Sequence, residues 1–275
     1  MDILNTPAVQ GFIRLCDEGW RQGWHERNGG NLSYRLSEED RAALVPFCPE
    51  EGAGEWAEIG AAVPALGGAW FLVTGSGKYF QNVSRDPADS LAVIELDAAG
   101  ERYRVRWGLT GGGRPTSELP THMMNHAVKL ETTGGAHRVI YHCHPINLIA
   151  LTFVLPLDDR TFTRELWETM TECPIVFPAG VGVLPWMVPG GREIAVASCE
   201  KMRRYDVLVW AHHGLFCSGT DFDTTFGLAH TVEKAAAIAV KVRSMVTARR
   251  QTISSDDLRT LARAFGVQLN DEFLN

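Results

Sequence analysis

The stretch Val139-Ile140-Tyr141-His142-Cys143-His144-Pro145-Ile146-Asn147-Leu148-Ile149-Ala150-Leu151 decides how the chain is read. Val139 to His144 is rich in β-branched and aromatic residues, stops at a proline, and reads as a buried strand. The longer apolar run from Pro145 to Leu155 reads as helix. A strand passing directly into a helix is a building unit of one α/β or α+β domain. Alternate residues of a strand share a face, so His142 and His144 can converge on one ion while Cys143 faces away. Taken alone, the pair more often marks two hydrogen-bonded structural histidines.

Further elements flank this segment on both sides. Leu32-Ser33-Tyr34-Arg35-Leu36, Trp70-Phe71-Leu72-Val73 and Asp206 to Trp210 read as strands. In Arg102-Tyr103-Arg104-Val105-Arg106-Trp107 arginine alternates with Tyr, Val and Trp, which predicts a strand with a wet arginine face. An opening helix runs from Pro7 to near Gly23, with Val9, Phe12, Ile13, Cys16 and Trp20 on one face. A second helix, with Thr116 as its N-cap, carries Leu119, Met123, Ala127 and Leu130 inward. Residues 224–247 and 254–265 give two more. Residues 46–68 read as an irregular surface excursion too short to link domains. No repeat interrupts the pattern, and 1–275 reads as a single domain.

The 275 residues, 45% of them hydrophobic, suffice for a sizeable core. Lys and Arg number 26 against 33 Asp and Glu, a net charge of -7, which argues against nucleic acid or an anionic membrane as partner. No apolar stretch approaches the ~20 residues of a membrane span. The first residues lack the basic segment and apolar core of a signal peptide, so the expected location is cytoplasmic. Six scattered cysteines form no C-x-x-C pair and are expected as reduced thiols.

A second histidine cluster, His212-His213-Gly214, ends another apolar strand. Three neutral imidazoles plus an open position make a catalytic zinc site, where the metal acts as a Lewis acid. Gly75-Ser76-Gly77-Lys78 is no nucleotide-binding loop, because Leu72, Tyr79 and Phe80 stand where those loops require Gly, Ser or Thr, and Gly. It is a tight turn. Together with the turn at residues 28–31 and the helix start at Thr116-Ser117, it can also supply N–H and hydroxyl donors to a phosphate. Glu118 is either a surface residue favoured by the helix dipole or, if it faces a metal, a general base. Glu168 and Glu172, spaced i,i+4, read as a solvated helix face.

Several segments together resemble the zinc-dependent class II aldolase family: GWHERNGGNLSYRL (23–36), FLVTGSGKYF (71–80), VRWGLTGGGRPTSELPTH (105–122), VIYHCHPINLIALTFVL (139–155), FTRELWETMTEC (162–173), VGVLPWMVPG (181–190), HGLFCSG (213–219) and DTTFGL (223–228). The resemblance covers nearly the whole chain and is weakest at 46–68, at Gly111-Gly112-Gly113 and in the C-terminal tail. It implies a three-layer α/β fold, with a central, mainly antiparallel β-sheet flanked by helices. It also implies a homotetramer with active sites at subunit interfaces. The zinc ligands fall on His142, His144 and His213, one Zn2+ per subunit, with His213 chosen because the motif has His before Gly. The acid/base falls on Glu118, and a glutamate reaching the aldehyde end from the neighbouring subunit falls on Glu172. The phosphate-binding positions fall on Asn28, Gly29, Asn31, Ser76, Gly77, Thr116 and Ser117. The implied activity is reversible retro-aldol cleavage of a phosphorylated ketose to dihydroxyacetone phosphate and an aldehyde. Within the family, fuculose-phosphate aldolases, pentulose-phosphate epimerases and sugar-phosphate dehydratases share these elements, as do non-catalytic adducin-head modules, and these are the alternatives.

Overall fold

The computed structural model describes residues 2–50 and 53–275, so residues 51 and 52 of the 46–68 segment lie outside the description. Nine strands form one sheet: β1 (Asn31–Arg35), β2 (Ala57–Glu58), β3 (Trp70–Thr74), β4 (Leu91–Leu96), β5 (Arg102–Gly108), β6 (Val139–Cys143), β7 (Gly182–Leu184), β8 (Val207–Trp210) and β9 (Gly214–Gly219). Their order is β2-β5-β4-β3-β1-β6-β9-β8-β7. Every neighbouring pair is antiparallel except β7 with β8. The expected mainly antiparallel sheet between helices is what the chain forms.

The helices are α1 (Pro7–Arg21), α2 (Glu38–Leu44), α3 (Phe80–Val83), α4 (Pro87–Ser90), α5 (Leu119–Thr132), α6 (Ile146–Leu151), α7 (Asp159–Trp167), α8 (Cys173–Val176), α9 (Arg192–Met202), α10 (Phe222–Met245) and α11 (Ser255–Phe265). Helix α10 packs on α1, α6, α7, β6 and β9, whereas α5 packs on α9 and β6. Alternation along the central strands feeds two cores. Trp70, Leu72, Leu91 and Val93 belong to the larger one, while Phe71, Val73, Ala92 and Ile94 join Leu119 and Met123 in the second. Strand β4 escapes the sequence reading because it is buried on both faces and shows no polar alternation.

Several expectations are corrected. Of the β5 arginines, expected on a wet face, only Arg102 is exposed, and Arg104 and Arg106 are covered by Glu50 and Glu95. Trp107 pairs with Val93 and Val105 with Ile94, so Arg106 is the extra residue of a bulge. It is buried, donating to Glu50 (2.6 Å), Glu95 (2.8 Å) and the Cys48 carbonyl (2.6 Å). The 46–68 segment supplies edge strand β2 and buries Ile59, Val63 and Leu66 in the second core, so only part of it is surface. Trp20 is exposed. The N-cap of α5 is Glu118, with the Thr116 hydroxyl accepting from its N–H at 3.3 Å. The helix expected from Pro145 to Leu155 ends at Leu151. Glu168 and Glu172 share no helix, since the first closes α7 and the second opens α8.

Candidate metal centre and active site

Strand β6 ends one residue before His144, and β9 begins one residue after His213. The antiparallel pairing of Cys143 with Leu215 brings the two ends together. Gly214 makes this possible, because a β-carbon there would overlap the Cys143 carbonyl oxygen. Across this junction His142 Nε2 lies 3.2 Å from both His213 Nε2 and His144 Nε2. His212 turns away, its Nδ1 3.1 Å from the Thr152 hydroxyl and its ring on Phe153.

The three imidazoles fit a metal. Tetrahedral coordination at ~2.05 Å places neighbouring donor nitrogens about 3.3 Å apart, close to the 3.2 Å that separates His142 Nε2 from each of the other two, and all three donor atoms lie within 4.8 Å of one another. His142 Nδ1 is 2.9 Å from the Leu215 carbonyl oxygen, to which it donates, leaving Nε2 unprotonated and free to ligate. His144 Nδ1 is 2.8 Å from the Glu26 carboxylate, which fixes its ring in the same sense. Burial pushes the pKa of His142 well down and that of His213 to about 4, so both stay neutral as ligands must.

Glu118 stands at the start of α5 and is buried. Asn31 Nδ2 donates to its Oε2 at 2.8 Å. Burial raises the pKa of this carboxyl, opposed by the Asn31 amide, by His144 and by the Gly190 N–H. A carboxyl so placed is poised to exchange a proton.

One cavity of about 240 Å³ joins these groups. Asn28, Gly29, Asn31, Ser76, Gly77, Thr116, Ser117, Glu118, His142, His144 and His213 all line it, as do Gly30, Gly75, Pro189 and Gly190. Gly30 takes φ +78, and a β-carbon there would stand 2.7 Å from the His142 carbonyl oxygen, so this turn requires glycine. The donors are fewer than the sequence suggested. The N–H groups of Gly29, Ser76 and Thr116 are spent on backbone carbonyls, while among the described residues nothing accepts from those of Gly77 and Ser117. Lys78 is held by Asp89 at 2.6 Å. Among the described residues no lysine or arginine lines the cavity.

Glu172 is exposed and does not line the cavity. Glu168 is tied to Arg164 at 2.5 Å. Sequence reasoning missed Glu26 behind His144, Pro189-Gly190 on the cavity wall, and the buried His122, His126 and Ser33 behind Asn31. The i,i+4 spacing of His122 and His126 was the available signal.

Residues 10–240 match the family model described as Class II Aldolase and Adducin N-terminal domain. A Pectobacterium carotovorum protein named rhamnulose-1-phosphate aldolase is 50% identical over 266 residues, 96% of each chain. A Mannheimia succiniciproducens protein of the same name is 50% identical over 274 residues, 99% of each. Among solved structures, a sugar-phosphate aldolase from Thermotoga maritima superposes with TM-score 0.73 at 27% identity, covering 86% of this chain and 95% of that one. L-fuculose-1-phosphate aldolase from Thermus thermophilus, at 20% identity and TM-score 0.58 over 87% of this chain and 96% of that one, shares the fold.

Proposed function

The chain belongs to the class II aldolase and adducin N-terminal domain family, and from that membership we propose that it cleaves L-rhamnulose 1-phosphate reversibly to dihydroxyacetone phosphate and L-lactaldehyde. The observation that carries this reading is the convergence of Glu118 and three histidines on one cavity with free hydroxyl and N–H donors. The half-identity to rhamnulose-1-phosphate aldolases over nearly the full chain selects the substrate.

Cleaving a carbon–carbon bond beside a carbonyl leaves an electron pair that must be held. A zinc ion on His142, His144 and His213 supplies a Lewis acid for that charge when bound. No lysine lines the cavity among the described residues, so an imine route has no partner here. Glu118 delivers a proton to C3 in cleavage and removes it in condensation. Ser76, Ser117, Thr116 and Asn28 anchor the phosphate, so binding energy from the unreactive end fixes C3 against the carboxyl.

We place Glu172 at the aldehyde end of a neighbouring subunit's site in a homotetramer. Large apolar side chains stand exposed beside the site: Ile146 (72%) and Phe153 (70%) around α6, and Trp186 and Val188 next to the cavity-lining Pro189. Among the described residues no helix is long and apolar enough to cross a membrane. The six free thiols suit a reducing compartment, and the cytosol is the one we propose.

The test is release of dihydroxyacetone phosphate from L-rhamnulose 1-phosphate, before and after chelation and with zinc restored. Turnover abolished by chelation and recovered with zinc is expected. Absence of turnover in zinc-loaded protein would overturn the substrate assignment.

A further inference from the structure

Five buried side chains behind the cavity form one unbroken hydrogen-bonded series. Asn31 Nδ2 meets Glu118 Oε2 at 2.8 Å, Asn31 Oδ1 meets His122 Nε2, His122 Nδ1 meets Ser33 Oγ at 2.6 Å, and Ser33 Oγ meets His126 Nε2 at 2.8 Å. None of the five residues is more than 7% exposed. His122 and His126 stand one turn apart on α5, whose first residue follows Glu118, and Ser33 stands two residues from Asn31 on the same face of β1. The series therefore ties the strand to the helix that carries the carboxyl.

With Glu118 ionised, the chemistry of each group fixes the direction of every bond. An ionised carboxylate only accepts, so the Asn31 end facing Glu118 must be its NH2 group. The amide oxygen then faces His122, which must carry its proton on Nε2. A neutral imidazole protonated there is bare at Nδ1 and needs a donor, which is the Ser33 hydroxyl. The Ser33 oxygen in turn accepts from His126 Nε2–H, leaving His126 Nδ1 bare. That atom is buried without a hydrogen-bond partner among the described residues, as an unprotonated terminus would be.

We propose that His122 and Ser33, backed by His126, are positioning residues that lock the Asn31 amide with its NH2 group toward Glu118. The proposal rests on the reading of Glu118 as the acid/base. Turned the other way, the amide would set its oxygen against the carboxylate and push the two apart. The lock also places Asn31 between the phosphate donors and the carboxyl, so that the group lining the cavity is the one holding the proton carrier in place.

The decisive experiments use zinc-loaded protein. Neutron diffraction from deuterium-exchanged crystals is expected to show His122 deuterated on Nε2 and bare on Nδ1, Ser33 pointing to His122, and Asn31 ND2 facing Glu118. In parallel, Ser33→Ala and His122→Met are expected to lower kcat about 10- to 100-fold with little change in KM. His122→Gln, whose amide can still donate to Asn31, is expected to keep kcat within about tenfold of the wild type. A deuteron on His122 Nδ1, a reversed Asn31 amide, wild-type kcat in Ser33→Ala, or equal losses in His122→Gln and His122→Met would each overturn the proposal. If Ser33→Ala does not fold, the neutron map and the two His122 variants still decide. If the wild type fails to turn over the ketose phosphate, the functional reading fails, while the neutron map still reports on the lock.

Discussion

Asn31 and Glu118 come from different elements, β1 and the cap of α5, yet the amide of one donates to the carboxylate of the other at 2.8 Å. This bond opposes the burial that raises the Glu118 pKa, as the Gly190 N–H also does.

Glu118→Gln keeps the shape and the Asn31 contact but cannot carry a proton. Its kcat is expected to fall about 100- to 10,000-fold, with KM changed far less. The sign of the stability change follows from the raised pKa. The folded chain holds this proton more tightly than the unfolded one, so at neutral pH the ionised carboxyl costs stability that glutamine does not. The chelated variant should therefore melt above the chelated wild type at pH 8, and a lower melting temperature would contradict the assignment.

Glu26→Ala removes the carboxylate behind His144 without touching a ligand. Zinc affinity is expected to weaken about 10- to 100-fold, measured by competition with a chromophoric chelator. Unchanged affinity would mean that the 2.8 Å contact to His144 does not orient the ring.

Acid should destabilise the chelated protein early. Burial lowers His213 to about 4 and both His25 and His122 to about 3. Histidines whose folded pKa is depressed leave the unfolded chain binding more protons, so stability falls as the pH drops below about 6.5 and continues falling toward 4. Urea midpoints measured at pH 7.5, 6 and 5 should decline in that order, and a flat series would count against buried neutral histidines.

Phe153→Asp places a charge where the apolar patch beside α6 would meet another subunit. On the proposed homotetramer, sedimentation is expected to shift from four chains to smaller species, and on the proposed role of Glu172 activity falls at the same time. A wild type that sediments as a single active chain would remove both Glu172 and the tetramer from the mechanism.

Local periodicity made much of this legible. The two-residue alternation of Val139 to His144 aims both imidazoles one way, and the structure keeps them there. The turns that line the cavity at Asn28 to Asn31 and Gly75 to Gly77 were recognisable from glycine and asparagine. What sequence could not convey came from register and distance in the chain. The arginine face of β5 was read as wet, but Glu50 and Glu95 cover Arg104 and Arg106 with ion pairs, and Glu50 comes from a segment far off in the chain that alternation does not reveal. The α5 helix was read from its apolar stripe, but His122, Asn125 and His126 are more deeply buried than Ala127 or Leu130, their partners lying some 90 residues away in β1 or in the helix backbone. Glu26 could not be tied to His144 without the fold.

The end of the cavity that we assign to the phosphate offers hydroxyls and N–H groups and, among the described residues, no guanidinium or ammonium, in a chain whose formal charge is -7. A phosphate seated there is gripped by neutral hydroxyl and N–H donors, so that grip depends less on added salt than an ion pair would. Uncharged donors also hold the released phosphorylated product without an ion pair to break, which favours rapid clearing of the site between turnovers.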